Sequence, residues 1–406
     1  MKSIINYINL YSCLLLAATS MFYYPIPKAA FFLFFISYFI ELFVERKWKK
    51  VQLNKTTIYY LVMIFFFILG VFYLPFEHTS TYFSSLFVKR LSIFGFAIVG
   101  IFGVNSKYKL NYFLNTFVIT SVIAIVYLVF IRIGIMEFIK NPIRADLFTS
   151  NRILYVNSHM MFNFYLNISI ISIWYILTRS WSRTIWWKNF LYIGALTIDF
   201  GFLSITEGRS GFLAGIIVML CFIFFEIWKR KKTIGIVIGL CIPFLLVGIA
   251  SHHKRMSENQ LKSEPRIFLW KAALSVIKEK PVFGYGISDA QVNFDAARAK
   301  YQTEEFRLGW ISCPRIDSHN QYLQTTMEFG FFGLLILLFI YLFPIYLVDK
   351  NRRLFAILLL FLCAYQSVFD MFITGQFSAL FGITLILILS MENNIVLVDN
   401  DVMIED

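Results

Sequence analysis

Charge is scarce in this sequence. Only 15% of its 406 residues are Asp, Glu, Lys or Arg, while 59% are hydrophobic and 19% aromatic. A soluble domain of that length needs far more polar surface, which excludes a soluble fold and sends the apolar side chains to lipid. Acids are the scarcer sign, 24 against 37 bases, for a net charge of +13. In a soluble protein that excess would point to nucleic acid. Here the bases sit in short loops between apolar runs, as in "ERKWKK", "WKRKK" and "DKNRR". Cytoplasmic loops hold Lys and Arg in this way, so nucleic acid is not an expected partner. Anionic membrane lipids, or a phosphorylated lipid substrate, are. Cysteine is sparse too: Cys13, Cys221, Cys241 and Cys363 lie in apolar runs and only Cys313 in a long polar loop. No disulfide framework or paired metal spacing results. There is no internal repeat and no low-complexity tract.

What is present is a series of apolar runs near the length that crosses a bilayer, about 20 residues. Twelve can be placed, near 4–23, 26–44, 57–76, 86–104, 111–131, 159–178, 189–206, 211–227, 234–251, 328–347, 354–370 and 376–392. The first is followed within a few residues by the second, so it reads as an uncleaved helix rather than a signal peptide. The expectation is an all-α polytopic membrane protein of about 12 transmembrane helices. It divides into helices one to nine (residues 1–251), a long loop (252–320), and helices ten to twelve with a short tail (321–406). With the amino terminus inside, the inner loops carry 18 Lys and Arg and the short outer loops 8. The positive-inside rule therefore puts both termini in the cytoplasm and the long loop outside. A second outer segment, 132–158, is long enough to carry structure. Within the long loop, "PRIFLWKAALSVIKEK" sets Ile267, Trp270, Leu274 and Ile277 at helical spacing, the pattern of an amphipathic helix lying on the surface. "PVFGYG" then breaks it.

Three groups of polar residues gather at the outer ends of these helices. "DSHNQYLQTTMEFGFFG" opens helix ten, where Ser318 and Gln321 form a capping box that would start the helix at His319. A histidine in a first turn is kept neutral by the helix dipole and able to accept a proton. Asp317 either opposes that effect or orients the ring. Gly330 and Gly333 would leave a shallow groove on the same face for a helix or a lipid chain. The plainer reading is a polar interfacial cap followed by ordinary helix packing. "TEGRSG" places Arg209 at the outer interface between helices seven and eight, where a cation must pair, snorkel or bind an anion. Its plainer fate is an ion pair with Glu207. Arg266 follows Pro265 at the start of the amphipathic helix, and its plainer fate is a lipid headgroup. Arg298, Arg307 and Arg315 have no special context.

His-Asn, nine residues, then Gly-x-x-Gly resembles the motif of the O-antigen ligase family. "RIFLWKAALSVIKEKPVFGYG" is similar to that family's preceding Arg-x-x-x-Trp and Pro-x-x-Gly-x-Gly, and "GRSGFLAG" to its Arg-Ser/Gly segment. The three stand in the expected order across about 130 residues, while the first 200 match only in hydropathy. The resemblance implies a GT-C-like glycosyltransferase of the bacterial inner membrane with its active site facing the periplasm. It would move O-antigen from undecaprenyl diphosphate to a sugar of lipid A–core. His319 matches the essential histidine of the family, Arg209 and Arg266 the arginines that hold the diphosphate, and Asn320 the residue beside the histidine.

The chemistry is consistent with those residues. A diphosphate leaving group needs little acid catalysis, only a base for the acceptor hydroxyl and fixed cations for the departing charge. In-line attack would invert the anomeric carbon. No cofactor is expected. Metal is not expected either, because hard cations want carboxylate oxygens and the outer loops lack a paired acidic motif. The one Asp-x-Asp, Asp399–Asn400–Asp401, lies in the tail, the loop "YYPIPK" has no acid, and Glu304 and Glu305 lack a partner motif. An O-antigen polymerase or related transferase is the nearest alternative, sharing the donor. A lipid-linked glycan flippase is the alternative from another class, and would show polar residues near mid-membrane and interrupted helices.

Overall fold

A computed structural model describes residues 2–22, 25–74, 87–104, 110–140, 159–180, 186–205, 209–234, 265–300 and 316–389. The described residues are all-helical. The elements are α1 (Lys2–Thr19), α2 (Pro25–Val44), α3 (Lys55–Tyr73), α4 (Leu91–Phe102), α5 (Leu110–Val126, running on as a π-helix over Tyr127–Ile133), α6 (Ile135–Lys140), α7 (His159–Ser180), α8 (Trp186–Ile205), α9 (Arg209–Arg230), α10 (Pro265–Glu279), α11 (Ile287–Lys300), α12 (Gln321–Leu347), α13 (Arg353–Gln366) and α14 (Gly375–Leu389). Every expected apolar run among the described residues coincides with one of these helices. The run at 234–251 lies almost wholly outside them, as do most of 132–158 and residues 252–264 and 301–315 of the long loop. Six helices, α2, α3, α5, α7, α9 and α12, are long and apolar enough to cross a membrane by length and composition. The chain is a multi-pass membrane protein.

In a bilayer every backbone polar group must be satisfied within the segment, which is why apolar runs of this kind become helices. The bundle is built around α7, whose apolar span is 78% buried. It packs against α5, α8, α9 and α13. Outer helices expose apolar stripes instead: Phe32, Ile36 and Phe43 of α2 are at least half exposed, a lipid-facing surface. Several polar groups inside the bundle pair between helices. The Asp199 carboxylate on α8 accepts from Ser121 of α5 at 2.9 Å, and Ser121 meets Ser169 of α7 at 3.0 Å. Asn167 of α7 donates to the Gly211 carbonyl of α9 at 2.9 Å. Such bonds join helices where hydrophobicity gives no drive to associate.

The expected amphipathic helix forms as α10. Its buried stripe is Leu269, Ala272, Ala273, Val276 and Ile277, while Leu274 is 47% exposed. With Phe294 of α11 and Met327 of α12 these residues form a separate small core. Of the expected stripe, Ile277 is buried and Trp270 packs against this core, while Leu274 faces away from it. The alanines matter more, because they let α10 approach its neighbours closely.

Candidate functional site

The expected capping box gives way to a different cap. Helix α12 begins at Gln321, and Asn320 is its N-cap, its carboxamide oxygen accepting from the Leu323 amide at 3.0 Å. His319 therefore precedes the helix and sits at φ 46°, a left-handed position that non-glycine residues seldom adopt. Three bonds hold it there. The His319 amide donates to Asp317 Oδ1 at 2.9 Å, Ser318 Oγ to the Asn320 carbonyl at 2.9 Å, and the Ser318 amide to Gln324 Oε1 at 3.3 Å. Strain of this kind persists only where its surroundings over-determine it, and it concentrates at functional positions.

The α12 start is also tied to the turn between α13 and α14. The Gln321 amide donates to the Ser367 carbonyl at 2.8 Å, and Gln321 Oε1 accepts from the Ile373 amide at 2.9 Å. This brings Asp370 to His319: Nδ1 is 3.5 Å from Asp370 Oδ1 and 3.8 Å from Asp317 Oδ1. Asp370 was not anticipated. It closes an expected apolar run, "LFAILLLFLCAYQSVFD", and an acid at the outer end of a span was the available signal.

Two carboxylates, rather than a helix dipole, dominate the surroundings of the ring. Burial pushes the His319 imidazole down, but Asp370 and Asp317 outweigh it and its pKa ends above the usual 6.5, with Arg266 working against them. For Asp317, burial raises the carboxyl above its usual range. His319 pulls it down, Asp370 adds to the rise and Lys89 lowers it. Arg266 and Lys89 thus both lie within electrostatic reach of this site.

Arg266 opens α10 and donates from Nη2 to Met160 Sδ on α7 at 3.4 Å. Arg209 opens α9, and Gly211, two residues on, packs directly against Asn163, one turn along α7 from Met160. Both arginines therefore start helices that abut the first turn of α7. Glu207, proposed as an ion-pair partner for Arg209, lies outside the described residues, as do Arg307, Arg315, Glu304 and Glu305. Arg298 pairs with Asp295 at 3.1 Å.

The glycine motifs do something other than line a groove. Gly330 stands at φ 64° and interrupts α12, so nearby backbone groups turn outward to pair with residues 281–286. Tyr285 and Gly286 amides donate to the Met327 and Glu328 carbonyls at 3.0 and 2.8 Å. The Phe331 and Phe332 amides donate to the Pro281 and Val282 carbonyls at 2.8 and 3.3 Å. A Cβ on Gly330 would lie 2.1 Å from the Val282 oxygen, and one on Gly284 would lie 2.6 Å from the Glu328 carbonyl. The face expected to receive a neighbour is filled by the chain's own "PVFGYG". Beside this junction, Arg90 Nη2 reaches both Glu328 oxygens at 2.6 Å, and Gln324 donates to Glu328 Oε1 at 2.9 Å. The pair is buried, with side-chain exposures of 7% and 1%.

Residues 194–338, which hold Arg209, Arg266, His319 and both glycine motifs, match a family model described as O-Antigen ligase. The chain is similar to a protein of Rickettsia conorii named "Putative polysaccharide ligase", 28% identical over 146 residues, 34% of each chain. It is also similar to a Rickettsia typhi protein of the same description, 30% identical over 159 residues, 36% of each chain. An uncharacterised Haemophilus influenzae protein is 36% identical over 86 residues, covering 21% of this chain and 20% of the other. The matches thus span about a third of the length of the two Rickettsia relatives. Within residues 194–338 the chain is similar to the O-antigen ligase family.

Proposed function

We propose that the protein is a glycosyltransferase of the O-antigen ligase type. It transfers polysaccharide from undecaprenyl diphosphate to a sugar of lipid A–core at the periplasmic face of the bacterial inner membrane. The supporting observation is the meeting of His319 with Asp370 and Asp317 beside Arg266, within 3.5 and 3.8 Å of the ring nitrogen. His319 Nε2 takes the proton of the acceptor hydroxyl as that oxygen attacks the anomeric carbon. The bond from that carbon to the diphosphate oxygen breaks, with inversion. Asp370 and Asp317 face Nδ1 and stabilise the imidazolium as it forms, which is the part a carboxylate plays beside any histidine base. Arg266 and Arg209 take the charge of the departing diphosphate, for which a guanidinium offers forked donors. These cations do what a divalent ion would do elsewhere, so transfer proceeds without metal. Asn320 holds the strained turn through its cap and borders the acceptor.

The test is deletion of the protein followed by inspection of lipopolysaccharide. Bare core with accumulated lipid-linked polymer is the expected result. Core bearing a single repeat would assign a polymerase instead, and unchanged lipopolysaccharide would remove the protein from this reaction.

A further inference from the structure

α8 and α9 pack tightly where Gly215 meets Leu203, so that a Cβ on the glycine would lie 2.6 Å from the leucine side chain. One to two turns further from the first turn of α7 the two helices part. Between them lies a groove of about 390 Å³, lined by Trp174 of α7, Leu196 of α8 and Met219, Phe222 and Ile223 of α9. Trp174 and Phe222 stack as its floor, ring centroids 4.3 Å apart and planes 11° from parallel. Ile223 is 47% exposed, so the groove opens sideways to lipid. It shares Leu177, Glu226 and Arg230 with an adjoining cavity of about 300 Å³, which Thr178 and Lys229 complete.

The charges at this end do not cancel. Glu226 pairs with Lys229 at 2.9 Å, which leaves Arg230 as the uncompensated charge among the residues lining the two cavities. α9 has 22 residues and so rises about 33 Å, close to the thickness of the hydrocarbon core. Arg230 therefore stands at the opposite membrane face from Arg209, at headgroup depth, with the apolar groove running inward from it. The proposed transfer makes no use of this end of the molecule.

We propose that the groove binds an anionic phospholipid of the bilayer, distinct from both substrates of the reaction. One acyl chain lies on Trp174 and Phe222, and the phosphodiester meets Arg230. Basic pockets between spanning helices bind headgroups in this way. The groove is more than twice the apolar cavity of about 150 Å³ that takes up a benzene ring, so it has room for a stretch of acyl chain. Charge selects among the lipids. A phosphodiester carries one negative charge, which Arg230 matches. A phosphomonoester, as on a polyprenyl phosphate, carries about −1.5 to −2 and would leave charge unmatched. A zwitterionic headgroup has no net charge for Arg230 to meet.

Native mass spectrometry of the full chain, supplied in detergent with equal phosphatidylglycerol and phosphatidylcholine, counts the lipids retained. The wild-type chain is expected to keep one phosphatidylglycerol with a preference of about fivefold. Arg230→Ala is expected to abolish the preference, and Arg230→Lys to keep most of it. Ile223→Trp fills the groove from its exposed rim and is expected to remove the bound lipid with Arg230 intact. Leu177→Trp serves as a second filler if Ile223→Trp lowers the melting temperature. Equal retention of the two lipids by the wild-type chain overturns the inference. So does an unchanged preference in Arg230→Ala or in the filled variants, since basic residues outside the groove would then hold the lipid. Displacement of phosphatidylglycerol by an equal concentration of undecaprenyl phosphate overturns it too, by making the occupant a polyprenyl lipid.

Discussion

His319 has its place because its neighbours leave its backbone no other. The Asp317 side chain caps its amide, Ser318 bridges to Asn320, and the ring is turned toward Asp370. Only the neutral imidazole accepts a proton, and the carboxylates favour the charged one, raising the pKa above 6.5. Transfer should therefore rise with pH through a midpoint above that value. Asp370→Asn removes one source of the shift, so the midpoint should move to lower pH while the plateau rate falls. An unchanged midpoint in pH profiles of kcat would detach Asp370 from the base. Arg266→Ala should weaken donor binding as well as slow transfer, and Arg266→Lys should rescue only in part, because an ammonium lacks the bidentate fork. Binding and kcat measured at matched expression check both. At this scale the sequence showed which side chains could carry the chemistry but not what surrounds them. Asp370 reaches His319 through a turn fixed by Gln321, a contact across 51 positions with no local signal.

The elements that matter most are the broken α12 and the segment 281–286 laid against it. Their pairing fixes α10, and Arg266 with it, relative to the end of α12 that carries His319. Gly330→Ala puts a methyl into the Val282 carbonyl and forces an L-residue to φ 64°. The backbone conformation alone, at ψ −165° a region kept almost to glycine, costs about 1–3 kcal/mol. It should lower the melting temperature and expose α10–α11 to protease, with a loss of transfer larger than the loss of folded protein. Arg90→Ala should destabilise by about 3–5 kcal/mol, since it leaves Glu328 charged and buried without its guanidinium. Arg90→Met with Glu328→Leu should recover most of that, and unfolding midpoints of the single and double variants decide the point. The sequence displayed both glycine motifs plainly but not that they meet. One read as a helix breaker and the other as a packing groove, because backbone-to-backbone pairing leaves no mark on side-chain pattern. Glu328 carries no local signal for a related reason: its partner Arg90, the N-cap of α4, is distant in the sequence.

For the whole molecule, composition was enough to give the class. A chain with 15% charge and 59% hydrophobic residues has no route to a soluble fold, and the apolar runs became helices where the described residues cover them. Which helix sits at the centre was not legible. α7 is no more apolar than its neighbours, yet it is the most buried of the six long spans. Its Asn163, Asn167, Ser169 and Ser172 are all fully buried, a polar series facing other helices. That arrangement places the starts of α9 and α10, at Arg209 and Arg266, near its first turn from distant parts of the chain. The central claim is that this region transfers a glycan with His319 as base and without metal. The most direct measurement is reconstitution of the purified chain with undecaprenyl-diphosphate-linked polysaccharide and lipid A–core in excess chelator. The account predicts transfer by the wild-type protein and a loss of about 10²–10⁴-fold in His319→Ala, with donor binding retained. Transfer by His319→Ala at near wild-type rate, or wild-type activity that returns only when a divalent ion is restored, would contradict it.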